Sequence, residues 1–184
     1  MPAHPLAEAL ATRLAPGARV LDFGSGTGRN TDALRALGFH VVAMSDEDAR
    51  DAAALTSAGG PFDAAIVTHA LLHGTPQTIA RRIDALASVL RAEGPFHAVF
   101  ASTKDRRYGV GTQTAAYTFA AESGDEAGVP HVFYEETRLR AILAAYFEIE
   151  SLEQCAADAI AGGWAHPTTP LRNAVHWFLR AKRR

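Results

Sequence analysis

The stretch Val20-Leu21-Asp22-Phe23-Gly24-Ser25-Gly26-Thr27-Gly28-Arg29-Asn30 constrains this chain more than any other part of it. Ala18 to Phe23 reads as a short buried strand, and Thr27 to Leu37 has helical spacing closed by Gly38. Three alternating glycines between the two let the backbone turn sharply and approach a ligand closely. The start of a helix adds unpaired N–H groups and a positive dipole end. Such a loop can hold a nucleotide-like ligand in the crevice at the carboxyl ends of parallel strands. A tight turn with no ligand is the plainer alternative. The spacing is G-x-G-x-G. A dinucleotide fingerprint would place Gly or Ala where Arg29 stands, and arginine there defeats the close helix–strand packing that position provides.

The remaining pattern alternates strands with helical runs. Leu6 to Leu14 reads as a leading helix stopped at Pro16-Gly17, and Phe39 to Met44 as a second buried strand. Asp46 to about Thr56 reads as a helix, Phe62 to Thr68 as a strand, Pro76 to Arg91 as an amphipathic helix, and Pro95 to Ala101 as a strand. Ser102 to His131 is glycine-rich and reads as a long loop. Glu135 to Tyr146 follows as a helix, with Phe147 to Glu153 and Asn173 to Arg180 as two last strands. No helical signal separates that pair, which predicts an antiparallel arrangement at one edge. The order implies one α/β domain over residues 1–184 with a largely parallel sheet.

Composition excludes several classes. At 48% hydrophobic and 21% charged residues the chain is globular rather than disordered. A net charge of −2 gives no field to attract nucleic acid or acidic membrane. Pro2, Pro5, Glu8, Arg13 and Pro16 interrupt the amino-terminal region, so no signal peptide or bilayer span is expected, and a cytoplasmic protein is. Cys155 is the single cysteine, which excludes an internal disulfide and a cysteine-based zinc site. The basic ending Arg180 to Arg184 reads as a solvated terminus.

Asp22 followed by G-S-G-T-G-R-N resembles the first motif of class I S-adenosylmethionine-dependent methyltransferases, and its ending resembles tellurite-resistance-type and related small-molecule members. Phe62-Asp63 through His69 to His73 resembles the family's fourth-strand motif. Arg91 to Pro95 resembles its turn into the fifth strand, and Ala174 to Ala181 its antiparallel seventh. Ser102 to Gly109 and Gly124 to Tyr134 are similar to small bacterial methyltransferases of unassigned substrate. The resemblance implies a Rossmann-like three-layer sandwich and S-adenosylmethionine as cofactor. It implies cofactor contacts from Asp22, Gly24, Ser25, Gly26, Gly28, Arg29 and Asn30, and from Thr68, His69 and Ala70 beyond the fourth strand.

Two departures follow. The family ends its second strand with an acid that binds the ribose hydroxyls. Here that position is Ser45, with Asp46 next, and Asp46 serves equally as that acid or as a helix N-cap. Only Asp46 to Pro61 separates the second strand from FDAAIVT, where the family fits a helix and a third strand. A parallel crossover needs only about a dozen residues. The third strand is therefore expected to be missing, leaving six strands ordered 2-1-4-5-7-6 in the family's numbering. Right-handed crossovers put the 46–57 helix on the face opposite the 27–37 helix.

His69 and His73 have metal-like spacing but no H-E-x-x-H pattern and no nearby cysteine, so no metal is expected. His73 is as well suited to capping the next helix as to touching a ligand. In the long loop, Arg107, Tyr108, His131 and Tyr134 are the candidates for acceptor contacts, while Lys104 and Arg106 read as solvated charges. If a general base exists, His131 comes first, with His69 or Tyr108 behind it. The site lacks the N/D-P-P-aromatic motif of base-amino methyltransferases and a Pro-Cys nucleophile, so a small-molecule partner is expected and nucleic acid is not. A monomer or homodimer fits equally. Two rivals stand beside methyl transfer. One is a degenerate binding module. The other is a nicotinamide oxidoreductase, disfavoured by Arg29 and the absence of a Tyr-x-x-x-Lys.

Overall fold

A computed structural model describes residues 2–45, 52–124, 126–157 and 173–184. The elements run α1 (Pro5–Ala11), β1 (Arg19–Phe23), α2 (Arg29–Ala36), β2 (His40–Met44), α3 (Ala52–Ser57), β3 (Ala64–Val67) and α4 (Pro76–Val89). After these come β4 (Pro95–Ser102), β5 (Thr112–Ala115), β6 (Thr118–Ala120), β7 (Pro130–Tyr134), α5 (Glu136–Leu143), β8 (Phe147–Ala156) and β9 (Val175–Arg183).

The main sheet has the order β2-β1-β3-β4-β9-β8, parallel except for β9, which runs antiparallel to both neighbours. This is the order expected for a sheet that lacks the third family strand. Among the described residues the chain passes from β2 to β3 through α3 with no strand between. One consequence is visible in β2. It reads as buried in sequence, yet His40 and Ala43 are exposed, because no described strand covers its outer edge.

Alternate residues of each inner strand feed two separate cores, as a sheet covered on both faces requires. Val20, Ala64, Ile66, Val99 and Ala101 pack with Leu6, Leu10 and Leu34 under α1 and α2. Leu21, Phe23, Ala65, Val67, Phe96 and Phe100 pack with Leu55, Ile79, Ile83, Leu139 and Leu143 under α3, α4 and α5. Thus α3 lies on the face opposite α2, as right-handed crossovers dictate.

Two expectations are corrected. Residues 102–134 are not a structureless loop. They hold the antiparallel meander β5-β6-β7, whose last strand also pairs in parallel with the end of β4. Ala101 pairs with both Phe133 and His176, so β7 and β9 lie on opposite edges of β4. That places β7 in line with β3, beyond its carboxyl end. The basic ending is likewise no loose terminus. β9 continues through Arg183 because β4 and β8 flank it, and Lys182 Nζ pairs with Glu93 at 2.7 Å and Glu148 at 3.4 Å. No helix among the described residues is long and apolar enough to cross a membrane.

Candidate active site

The site forms where the strand order reverses. The connections from β1 and β3 leave the sheet toward opposite faces and open a crevice at its carboxyl end. Its first wall is the glycine loop. Gly24, Gly26 and Gly28 have φ of 74°, 52° and 81°, in the left-handed region where other residues are strained. The N–H groups of Gly24 and Ser25 donate to Met44 O at 3.0 and 2.8 Å, strapping the loop to the end of β2. Ser45, exposed, therefore stands directly beside it, while Asp46 lies outside the described residues. A Cβ added at Gly26 or Gly28 would meet no atom within 4 Å, so these two positions face open space. The N–H groups of Gly26 and Thr27 donate to no described backbone carbonyl.

Behind the loop, Asp22 is wholly buried between Ala43 and Ile66 in register, and Thr31 Oγ1 donates to its Oδ2 at 2.6 Å. That bond fixes the first turn of α2. Asn30, also buried, accepts from His4 N at 2.9 Å and donates to Thr68 Oγ1 at 3.1 Å. One amide thus ties the amino-terminal segment and the glycine loop to the wall beyond β3. Arg29 opens α2, and burial pulls its guanidinium below the usual arginine value.

The second wall is the connection from Thr68 to Thr75. Arg82 reaches it from α4, almost fully buried, with Nη1 donating to Ala70 O at 2.6 Å and His73 O at 2.7 Å. Thr75, not His73, caps α4 by accepting from Thr78 N at 3.2 Å. His73 faces the meander instead: Gly74 N donates to Pro130 O, Val132 N donates to Leu72 O, and His73 forms a bridge opposite His131. The rings of His73 and His131 meet edge to face at 4.6 Å, and His69 stands 5.2 Å from His73.

Glu126 enters this cluster from the turn before β7. Its Oε1 is 3.0 Å from His73 Nε2, and its Oε2 is 3.0 Å from His131 Nε2 and 3.7 Å from Arg107 Nη1. Burial alone would raise its pKa, but His131 and His73 hold the carboxyl far below the usual carboxylate range. His131 also reaches Val129 O through Nδ1 at 2.9 Å, so both of its ring nitrogens are engaged. A cavity of about 570 Å³ opens beside this group, lined by Ala70, His73, Thr78, Arg82, Glu126 and Pro130 among others.

The remaining acceptor candidates separate. Arg107 joins the cluster: it donates to Asp105 Oδ1 at 3.0 Å and lies 3.1 Å from His176 Nε2 while facing Glu126. Tyr108 is 38% exposed and packs over Phe119 and Phe133 at 5.3 and 5.6 Å, on the meander's aromatic patch. Tyr134 does not line the cavity. Side chains alternate along β7, so Tyr134 points away from His131 into the core, edge-on to Phe100 and 1% exposed, where burial pushes its hydroxyl pKa up. Two residues of the site escape the sequence reading. Arg82 carried a signal, an arginine on the apolar stripe Ile79, Ile83, Leu86. Glu126 carried none, because only the meander brings it to His73.

The family model described as "Methyltransferase domain" matches residues 2–159. No curated protein sequence matches the chain. Among solved structures, a SAM-dependent methyltransferase from Methanosarcina mazei superposes with a TM-score of 0.73 at 16% identity, covering 99% of this chain and 98% of that one. The 1,6-didemethyltoxoflavin-N1-methyltransferase of Burkholderia thailandensis, holding 1,6-didemethyltoxoflavin and S-adenosylhomocysteine, gives 0.65 at 20% identity, covering 98% and 77%. TehB from Haemophilus influenzae gives 0.65 at 14% identity, covering 98% and 62%.

Proposed function

The chain belongs to the methyltransferase-domain family, and on that footing we propose that it transfers the methyl group of S-adenosylmethionine to a small-molecule acceptor. The observation that carries this reading is the glycine loop: three left-handed glycines, strapped to the end of β2 through the N–H groups of Gly24 and Ser25, with Gly26 and Gly28 open on the side where a Cβ would project. Those residues fit the cofactor. The Gly26 and Thr27 N–H groups at the mouth of α2 are donors for its polar groups. Buried Asp22 sets an acidic group behind the loop, and the exposed Ser45 beside it offers a hydroxyl for the ribose. When bound, S-adenosylmethionine supplies a methyl group already activated on a sulfonium.

The protein's task is then alignment and exclusion of water. Orientation of this kind contributes on the order of 7–11 kcal/mol. Asn30 and Thr68 hold the two crevice walls at fixed separation, Arg82 clamps the second wall, and the meander closes over the end of β3. The acceptor occupies the cavity beside His73 and Glu126, whose size suits a small molecule, as ligand pockets run to about 300–1,000 Å³. An acceptor that arrives protonated gives its proton to an imidazole of the cluster, and Glu126 stabilises the charge that forms there. His131 takes a proton only when one of its two partners lets go. Arg107, on the meander side, backs Glu126 rather than lining the cavity, and Tyr108 lies on the aromatic patch with Phe119.

The test is turnover. The protein with S-adenosylmethionine and a panel of thiols, phenols, carboxylates and ring-nitrogen heterocycles is expected to release S-adenosylhomocysteine with at least one class. S-adenosylhomocysteine binding without turnover on any acceptor class would favour the binding-module reading instead.

A further inference from the structure

The connection after β3 and the turn before β7 bring two imidazoles and a carboxylate together at the edge of the cavity. We propose that His69, His73 and Glu126 bind a divalent transition-metal ion of the zinc and iron(II) class. Their donor atoms all lie within 4.8 Å of one another, and all three side chains are half-buried. Around a single zinc-like ion, donors at about 2.0–2.2 Å stand about 3.3–3.6 Å apart, so small side-chain rotations close the set. His73 and Glu126 are already 3.0 Å apart. The scaffold is built rather than incidental. A backbone bridge locks His73 opposite His131, and Arg82 fixes the carbonyls of Ala70 and His73 on either side of the turn.

The donor set selects the ion. Two imidazoles with one carboxylate suit zinc, iron(II), cobalt(II) or nickel(II), whereas calcium and magnesium take oxygen ligands. The single cysteine, Cys155, sits on β8 and does not contribute. Three protein donors leave a coordination position open, as sites that act on substrates do. The second oxygen of Glu126 is held from behind by His131 and faced by Arg107, which is itself anchored on Asp105. Partners of that kind orient a ligating carboxylate and tune its basicity. The ion would bind an oxygen of the acceptor and lower the pKa of its hydroxyl, whose proton then passes to solvent water. This last step rests on the methyl-transfer reading, while the ion site does not.

The experiment titrates the chelator-treated 184-residue protein with Co²⁺ and Zn²⁺, following the visible absorption of cobalt, the stoichiometry and the melting temperature. One equivalent per chain with a rise in melting temperature is expected for the native protein. Glu126→Gln and His73→Asn are each expected to weaken binding at least tenfold, and His40→Asn, on the exposed edge of β2, to leave it unchanged. Circular dichroism confirms that each variant is folded. The native protein's own melting shift serves as the readout if one is not. No saturable binding by the native protein, or equal binding in all three variants, would overturn the proposal. S-adenosylhomocysteine binding is measured separately, so failure of the methyl-transfer reading and failure of the ion site give different results.

Discussion

Replacing Gly26 with arginine is expected to weaken S-adenosylmethionine binding at least about a hundredfold, ~2.7 kcal/mol, while leaving the fold intact. The two halves of this expectation have separate physical origins. The backbone at Gly26 has a φ of 52°, and a residue with a Cβ is strained there by about 1–2 kcal/mol. For a chain of this length that lowers the melting temperature by about 2–8 °C. The added side chain meets no protein atom within 4 Å, so nothing in the core is displaced. What it does occupy is the space over the loop, where the cofactor has to approach. Gly38 supplies the control. It lies beyond the opposite end of α2 with a φ of 86° and no neighbour within 4 Å, so Gly38→Arg carries similar strain away from the crevice. Calorimetry and thermal melts on both variants check the expectation. Equal binding by Gly26→Arg and Gly38→Arg would mean that the loop does not face the cofactor.

Acid is expected to unfold this protein between about pH 6 and 4, earlier than carboxylate protonation alone would do. Three buried histidines are responsible. His4 is lowered from 6.5 to about 3 by burial first and by the charge of Arg29 and then His176. His97 is lowered to about 4 by burial, with Arg13 and Arg180 adding to it and the bond to Leu6 O and the charge of Glu150 opposing it. His176 is lowered to about 4 by burial and Arg107, against Asp105 and Glu126, with His131 on the lowering side. Two of the three are held in a geometry that resists a second proton. His4 Nδ1 accepts from Leu6 N to cap α1, and His176 Nε2 faces the Arg107 guanidinium. As pH falls below 6.5 the unfolded chain takes up protons that the native state refuses. Stability is therefore full above that value and is lost progressively toward the native pKa values. At about 1.4 kcal/mol per unit, His4 and His97 each remove on the order of 3 kcal/mol by pH 4, and His176 acts in the same direction. That is a large share of the stability of an ordinary domain, about 5–15 kcal/mol. Denaturant unfolding followed across this pH range checks the expectation, and His97→Gln should flatten the profile. A melting temperature constant from neutral pH to pH 5 would show that these rings are already charged or exposed.

Much of the fold was legible because it rests on local signals. The glycine spacing after Phe23 and the alternation that splits Val20 from Leu21 are written in adjacent residues. The short span between Met44 and Ala64 announced a missing strand, since one helix is all that it holds among the described residues. The meander was not legible. Thr112–Ala115 is exposed on most of its length and Thr118–Ala120 is three residues long, so neither shows the alternation of a half-buried strand. Its pairing with the end of β4 is a tertiary event. The same holds for the site. Asn30 was singled out as a cofactor contact from its place in the loop, but its bond to Thr68 needs the crevice formed first. Tyr134 was misplaced because its face of β7 depends on which side of that strand meets the core. Glu126, 53 positions beyond His73, became visible only when β7 had been set in line with β3.

The central claim is that the loop from Gly24 to Asn30 holds an adenosyl-sulfur cofactor, and direct titration of the purified protein with S-adenosylhomocysteine and, separately, NAD⁺ tests it first. Saturable binding of S-adenosylhomocysteine at one equivalent per chain is expected, and none of NAD⁺. Binding of NAD⁺ instead, or of neither ligand, would contradict it.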